Sequence, residues 1–143
     1  MGKNDFLQRG SDNSGGRIIL DDTTFKTEAG TPIPYMIISD KAPKGPDEVD
    51  EDKGVVYVNC NIHSGEVEGK EAMMIFAREV AQGKHDDLLK DLVVVIVPNS
   101  NPDGNDDLGK NRIETQFTPK MVGTRTEGNG LNVNRDMTKL ETA

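Results

Sequence analysis

Residues 54–83 read GVVYVNCNIHSGEVEGKEAMMIFAREVAQG, and this stretch decides the fold. Gly54–Asn61 is rich in β-branched residues and apolar on both faces, which predicts a strand that is covered on two sides and central in a sheet. Between Glu66 and Gln82 the apolar residues recur at helical spacing. Gly83 supplies the stop signal. The stretch therefore predicts a strand that is followed directly by a helix.

A second apolar run, Leu92–Val97, follows this helix and predicts another buried strand. Strand, helix and strand in this order form a βαβ unit, in which the strands are parallel and the crossover is right-handed. Upstream, Arg17–Leu20 and Ile33–Ser39 predict two further strands. We expect an α/β fold with a mixed, largely parallel sheet and flanking helices over residues 17–143, after a polar, flexible leader at residues 1–16.

The composition limits both the size of the core and the class of partner. The chain has 143 residues, which suits one domain, but only 4% are aromatic and 29% are charged. So few aromatic residues and so many charged ones predict that the chain is part of a larger domain. A formal net charge of −8 argues against a nucleic-acid partner, because phosphate backbones are bound by clustered Lys and Arg.

Membrane association is not expected either, because no apolar run approaches the roughly 20 residues that cross a bilayer. The single cysteine, Cys60, excludes an internal disulfide, and its place inside the first buried strand predicts a packed core thiol. The sequence does not determine the cellular compartment. A secreted or periplasmic precursor could have lost its signal peptide before reaching this form.

His63 and Glu66 lie just beyond the first buried strand, at the edge of the sheet where open α/β folds bind ligands. Residues three apart on a helical turn face the same side, so the imidazole and the carboxylate could converge on one cation. Zinc takes such mixed nitrogen and oxygen ligands, and a catalytic zinc takes three protein ligands and a water. The spacing alone also fits a hydrogen-bonded surface histidine, which is the alternative.

Two other polar segments follow. Residues 98–106, PNSNPDGND, should lie at the same edge of the sheet as His63. They resemble the first half of an EF-hand loop, but Pro102 interrupts that pattern. We therefore predict a tight turn. Residues 124–136, TRTEGNGLNVNRD, contain Asn134 and Arg135, which together could grip a carboxylate. The alternative for these side chains is an ordinary solvated surface.

Together, three motifs resemble the zinc carboxypeptidase family, peptidase family M14: NIHSGEVEGKEA at 61–72, VPNSNPDG at 97–104 and GLNVNRD at 130–136. The resemblance implies the zinc-carboxypeptidase-like, phosphorylase/hydrolase-like α/β fold, of which this chain is the N-terminal part of the catalytic domain. It also implies that His63 and Glu66 are the first two ligands of Zn²⁺. In such a site the metal lowers the pKa of its water and acts as a Lewis acid toward a carbonyl.

The same resemblance assigns the remaining site residues. It implies that Asn134 and Arg135 hold the free C-terminal carboxylate of a peptide substrate. Arg125 is the candidate for the arginine that polarises the scissile carbonyl and stabilises the oxyanion, with Arg112 as the alternative because the intervening loop varies. The implied activity is hydrolysis that removes a C-terminal residue from a peptide.

The chain also departs from the family pattern. Well-known exopeptidases of the family carry an arginine between the two zinc ligands, whereas this chain has Ser64 and Gly65. Asn132 stands where the family often has an aspartate that accepts the other imidazole N–H, which predicts a less basic ligand. The third ligand, the catalytic glutamate and a substrate-side tyrosine of the family lie well downstream of the Asn-Arg pair, and this sequence ends at Ala143. His85 is not expected to replace the third ligand, because it precedes a strand and should lie at the opposite edge of the sheet.

Three hypotheses follow. The first is a metallocarboxypeptidase-like hydrolase whose third ligand and base lie outside this chain, so that the chain alone is inactive. The second is a non-catalytic module that binds a peptide carboxylate through Asn134 and Arg135, although the retained pair of His63 and Glu66 argues against it. In the third, a partner chain completes the site, and exposed sheet edges promote self-association.

Overall fold

The computed structural model describes residues 3–110, 120–136 and 138–141. The helices and strands, in chain order, are α1 (Lys3–Asp12), β1 (Ile18–Asp21), β2 (Tyr35–Ile38), β3 (Gly54–Asn59), α2 (Glu68–Ala81), α3 (Asp86–Leu89), β4 (Leu92–Val97), α4 (Pro102–Asp106), β5 (Gly109–Lys110) and β6 (Met121–Val122). Two 3₁₀ turns, Pro46–Glu48 and Val133–Arg135, complete the described elements.

Four strands form the main sheet in the order β1-β2-β4-β3. β1 pairs antiparallel with β2, β2 pairs antiparallel with β4, and β3 pairs parallel with β4. This confirms the mixed α/β sheet and the parallel βαβ pair that the sequence predicts. β5 and β6 form a separate two-stranded antiparallel sheet.

One face of the main sheet forms the core, because alternate residues of each strand point to the same side. The buried core cluster consists of Ile18, Met36, Ile38, Ala77, Val80, Leu89, Val94 and Ile96. Helix α2 contributes Ala77 and Val80 to it, and Val80 is completely buried. The helix therefore lies on the sheet through the apolar stripe that its spacing predicts.

Helix α2 begins and ends close to the predicted limits, and the difference at its start matters for the site. It begins at Glu68, because the chain between His63 and Glu66 forms a turn first. It ends at Ala81, and Gly83 follows with φ at 83°, a left-handed conformation that glycine adopts without strain.

The position of β3 corrects one prediction. The sequence predicts a central strand covered on both sides, but within the described part of the chain β3 is an edge strand with β4 as its neighbour. Val55 is 60% exposed and Tyr57 is 62% exposed. A local pattern of apolar residues shows that both faces suit burial, but it does not show which segment covers them.

At the N-terminus, the structure has helix α1 within the stretch that the sequence predicts to be a flexible leader. This helix contacts β1 and α2. Among the described residues, no helix combines the length and the apolar character that crossing a membrane requires.

Candidate functional site

The carboxyl ends of β3 and β4 bring two polar loops to one edge of the sheet. The parallel register pairs Gly54 with Leu92 and Asn59 with Val97, so both strands end at the same level. The loop with His63 and the loop with Asn101 therefore leave the sheet side by side. A side-chain amide of Asn101 donates to Ile62 O at 3.1 Å and joins the two loops directly.

A tight turn places Glu66 beside His63. Glu66 N donates to His63 O at 3.2 Å, which closes a four-residue turn. Gly65 holds its third position with φ at 88°, a conformation that side chains other than glycine rarely adopt and that a type II turn requires. Gly65 therefore determines the backbone path by which the imidazole and the carboxylate meet.

His63 is buried, with 2% of its surface exposed, whereas the side chain of Glu66 is 47% exposed. The imidazole Nδ1 lies 3.1 Å from Oε1 and 3.0 Å from Oε2 of Glu66. One nitrogen and two carboxylate oxygens thus converge on the same small space. That space borders the solvent on the Glu66 side.

The other imidazole nitrogen contacts Asn132. Nε2 of His63 lies 2.9 Å from Asn132 Oδ1, and the same oxygen accepts the backbone N–H of Asn134 at 3.0 Å. Both ring nitrogens therefore face hydrogen-bond acceptors, the amide oxygen of Asn132 at Nε2 and the carboxylate of Glu66 at Nδ1. A metal ion held between Nδ1 and Glu66 would take the place of a hydrogen on Nδ1, while Nε2 kept its hydrogen bond to Asn132.

Arg125 is held by contacts of the residues next to it. Gly123 N donates to Ser64 Oγ at 2.7 Å, and Thr124 N donates to Gly104 O at 2.7 Å. These bonds attach the Arg125 segment to the loops that follow β3 and β4. The Arg125 side chain is exposed and has no hydrogen-bond or ion-pair partner among the described residues.

Asn134 and Arg135 lie on the exposed 3₁₀ turn Val133–Arg135, immediately after Asn132. Arg135 Nη1 donates to Asn134 O at 3.0 Å. The turn therefore presents an amide and a guanidinium next to the residue that contacts His63. The alternative arginine, Arg112, lies outside the described residues.

The two residues that the sequence excludes as ligands lie apart from this site. His85 precedes α3, and its Nε2 is 2.8 Å from Glu79 Oε2. Its partner is therefore Glu79, and this hydrogen bond is the main cause that lowers the pKa of Glu79. Cys60 is buried, and burial raises the pKa of its thiol.

Sequence reasoning missed the importance of Asn101. The sequence predicts a simple tight turn here, whereas the structure has the short helix α4 with Asn101 as its N-cap. An Asn followed by Pro is a typical start of a helix, and this signal was available. The long-range contacts of Asn101 had no signal in the sequence.

The donors around His63 fit part of a zinc site. Two atoms bound to zinc at about 2.1 Å and a tetrahedral angle lie about 3.4 Å apart. This is a few tenths of an ångström more than the separation of Nδ1 and the Glu66 oxygens, 3.1 Å and 3.0 Å. Over residues 3–110, 120–136 and 138–141, however, no group of three or more His, Cys, Asp and Glu side chains could hold a metal ion. The described residues therefore supply two ligands at most.

Comparison with solved structures gives the same fold. A putative carboxypeptidase from Burkholderia mallei ATCC 23344 matches with a TM-score of 0.66 and 18% identity, over 95% of this chain and 30% of that chain. A metallo-carboxypeptidase from Burkholderia cenocepacia matches with a TM-score of 0.62 and 20% identity, over 92% of this chain and 31% of that chain. The carboxypeptidase A from Helicoverpa armigera matches with a TM-score of 0.57 and 22% identity, over 71% of this chain and 24% of that chain.

The chain thus spans between 24% and 31% of the length of these three structures. No curated protein sequence matches it significantly. A family model described as zinc carboxypeptidase matches residues 22–140, which is most of the chain and includes all three motifs. This chain belongs to the zinc carboxypeptidase family.

Proposed function

We propose that this chain is part of the catalytic domain of a zinc-dependent metallocarboxypeptidase, with His63 and Glu66 as zinc ligands. The observation that carries the proposal is the orientation of His63. Its Nε2 contacts Asn132, and its Nδ1 lies 3.1 Å and 3.0 Å from the two oxygens of Glu66. Bound zinc would supply an activated water and a Lewis acid for hydrolysis of a peptide bond.

The proposed substrate is a peptide with a free C-terminal carboxylate. Asn134 and Arg135 are exposed on one turn, where an amide and a guanidinium can share a carboxylate. Arg125, also exposed, would stabilise negative charge on the scissile carbonyl oxygen. A pair of donors of this kind suits a substrate whose chain ends in a free carboxylate, so the activity would remove the last residue.

We expect the chain alone to hydrolyse peptides poorly. In this proposal the described residues contribute two zinc ligands, and none of them is assigned as the catalytic base. Gly65 also replaces a substrate-contacting arginine of the best-known exopeptidases, so the substrate would make one charged contact fewer. Hydrolysis would need the remaining ligand and base to be present.

A zinc titration by calorimetry tests the metal site. We expect one Zn²⁺ per chain, with binding lost in His63→Ala and strongly weakened in Glu66→Gln. His85→Ala is the matched control, because it removes the other histidine of the chain, which contacts Glu79 on the surface. Zinc binding that is equal in His63→Ala and in the unchanged protein would refute the proposal.

A second candidate function is a non-catalytic module that binds peptide carboxylates without metal. The observation that favours it is that the described residues include no group of three metal ligands, while the Asn134–Arg135 turn is exposed. Binding of an N-acetylated dipeptide, measured with and without a chelator, separates the two. Metal-independent binding that is lost in Arg135→Ala would favour the module.

We further propose that the chain self-associates through β3. Within the described residues, this strand pairs with β4 on one side, and its other edge presents unpaired backbone groups beside exposed Val55, Val56 and Tyr57. An exposed apolar edge strand is a template for pairing with a second chain. The net charge of −8 opposes close approach, so the association should be weak and favoured by salt.

A further inference from the structure

Asn101 is completely buried, and every polar atom of its side chain has a partner. Its Nδ2 donates to Ile62 O at 3.1 Å and to Thr126 O at 3.2 Å, and its Oδ1 accepts from Gly104 N at 2.9 Å. These three hydrogen bonds require a side chain with two N–H donors and one oxygen acceptor at fixed positions, which a primary amide provides. A carboxylate of the same shape would direct a negative oxygen at two carbonyl oxygens.

The two carbonyl groups belong to segments that are far apart in the sequence. Ile62 immediately precedes His63, and Thr126 immediately follows Arg125. From Thr126 the chain makes a closed turn, in which Glu127 N donates to Leu131 O at 2.9 Å, and then reaches Asn132. Asn101 therefore binds the backbone next to His63 and the backbone that leads through this closed turn to Asn132.

Tight backbone packing around Asn101 leaves these segments little freedom. A Cβ atom at Gly104 would overlap Thr126 O, and a Cβ atom at Gly123 would overlap Gly104 O. Glycine at both positions allows the segment with Arg125 to lie directly on the first turn of α4. A displacement of either segment would break the hydrogen bonds of Asn101.

We propose that Asn101 is a positioning residue: its buried amide keeps the His63 loop and the Arg125–Asn132 segment in register. Through that register it keeps His63 Nε2 beside Asn132 Oδ1 and His63 Nδ1 beside the carboxylate of Glu66. The use of this geometry in hydrolysis rests on the proposed function. The positioning itself does not depend on metal or substrate.

The test is the contact between His63 and Asn132 in the metal-free protein, read from nuclear Overhauser effects between the ring protons of His63 and the side-chain protons of Asn132. Asn101→Ser and Asn101→Asp both keep an oxygen for Gly104 N–H, and both Ser and Asp are good N-caps, so α4 and the fold should persist. Neither supplies the two donors to Ile62 O and Thr126 O.

Asn105→Ser and Asn105→Asp are the matched controls. Asn105 lies in the same helix, and its Nδ2 also donates twice, to Asn99 Oδ1 at 3.0 Å and to Asn101 O at 2.8 Å, but its bonds do not reach the Thr126 segment. We expect these nuclear Overhauser effects in the unchanged protein and in the controls, and their loss in the Asn101 variants while the protein remains folded. The urea midpoint should fall further in the Asn101 variants than in the controls, and most in Asn101→Asp, because Asn101 is completely buried and a carboxylate there would face two carbonyl oxygens.

Three results would overturn the proposal: no contact between His63 and Asn132 in the unchanged protein, its retention in both Asn101 variants, or its equal loss in the Asn105 controls. Zinc titration of the same proteins separates this proposal from the proposed function. If zinc binds, the Asn101 variants should bind it about tenfold more weakly. If zinc does not bind to the unchanged protein, the proposed function fails, while the contact between His63 and Asn132 still decides the role of Asn101.

Discussion

His63 and Asn132 are 69 positions apart in the chain, and their side chains meet at 2.9 Å. The contact joins the loop after β3 to the segment that presents Asn134 and Arg135. It also leaves the imidazole with a neutral acceptor where the family often has a carboxylate. A carboxylate acceptor makes a ligating histidine more basic and strengthens its bond to a metal.

Asn132→Asp should therefore strengthen zinc binding. The new carboxylate would accept the same Nε2–H and add a negative charge behind the imidazole. We expect an affinity roughly tenfold higher, at the low end of the effect of such partners, measured by calorimetry. Asn129→Asp is the control: it adds the same charge in the same loop, where Asn129 Oδ1 accepts from Leu131 N at 2.9 Å. An equal gain of zinc affinity in both variants would mean that the added charge acts at long range and not through the hydrogen bond to His63.

The elements with a strong local pattern were predictable from the sequence. β3 begins at the predicted residue, β4 matches its predicted limits, and α2 differs by two residues at its start and one at its end. The pairing of His63 with Glu66 was predicted from a helical turn, whereas in the structure a tight turn with Gly65 at a φ of 88° brings the two side chains together before α2 begins.

Features that depend on distant segments were not predictable. The edge position of β3 depends on which segment lies beside it, and its own apolar residues carry no such information. Asn101 illustrates the same limit within the site. Its residue type predicts a turn or a helix cap, whereas its contact with Thr126 depends on how a segment 25 residues away folds back.

Gly65→Ala should destabilise the protein and weaken the metal site. Gly65 has φ at 88°, and an L-residue in the left-handed region costs about 1–2 kcal/mol. The turn that joins His63 to Glu66 would relax toward another conformation, which moves the carboxylate away from Nδ1. Urea unfolding gives the loss of free energy, and calorimetry gives the accompanying loss of zinc affinity.

Gly45→Ala is the control for this substitution. Gly45 has an extended backbone with φ at −165°, and a Cβ atom there would have nothing within 4 Å. We expect no loss of stability in this variant. If Gly65→Ala proved as stable as Gly45→Ala, the backbone of the ligand turn would not be the constraint that the geometry indicates.

Glu127 should make the protein less stable as the pH rises. Burial raises the pKa of Glu127, and the neighbouring carboxylates of Glu28, Asp103 and Asp136 raise it further. Because the folded-state pKa exceeds the unfolded value, Glu127 contributes stability below the unfolded value of about 4.3. That contribution is lost as the pH rises through the folded-state pKa.

Glu127→Gln removes this effect. The variant should be more stable than the unchanged protein at neutral pH, and the two should converge below about pH 4, where both side chains are neutral. Urea unfolding at a series of pH values measures the difference. Glu51→Gln, at an exposed loop position, changes the net charge equally and is the control. An equal gain from both variants would show that net charge, not the site of Glu127, is responsible.

Tyr57→Lys should reduce self-association through β3. Tyr57 is 62% exposed on the edge strand, and lysine at such an edge opposes pairing with a second chain through its charge and its solvated side chain. Sedimentation velocity at increasing protein concentration should show a rise in mean mass for the unchanged protein and a smaller rise for this variant. Ile75→Lys, at a residue that is 49% exposed on α2, makes a comparable change away from the edge. If it suppressed association as strongly as Tyr57→Lys, the contact between chains would not be specific to β3.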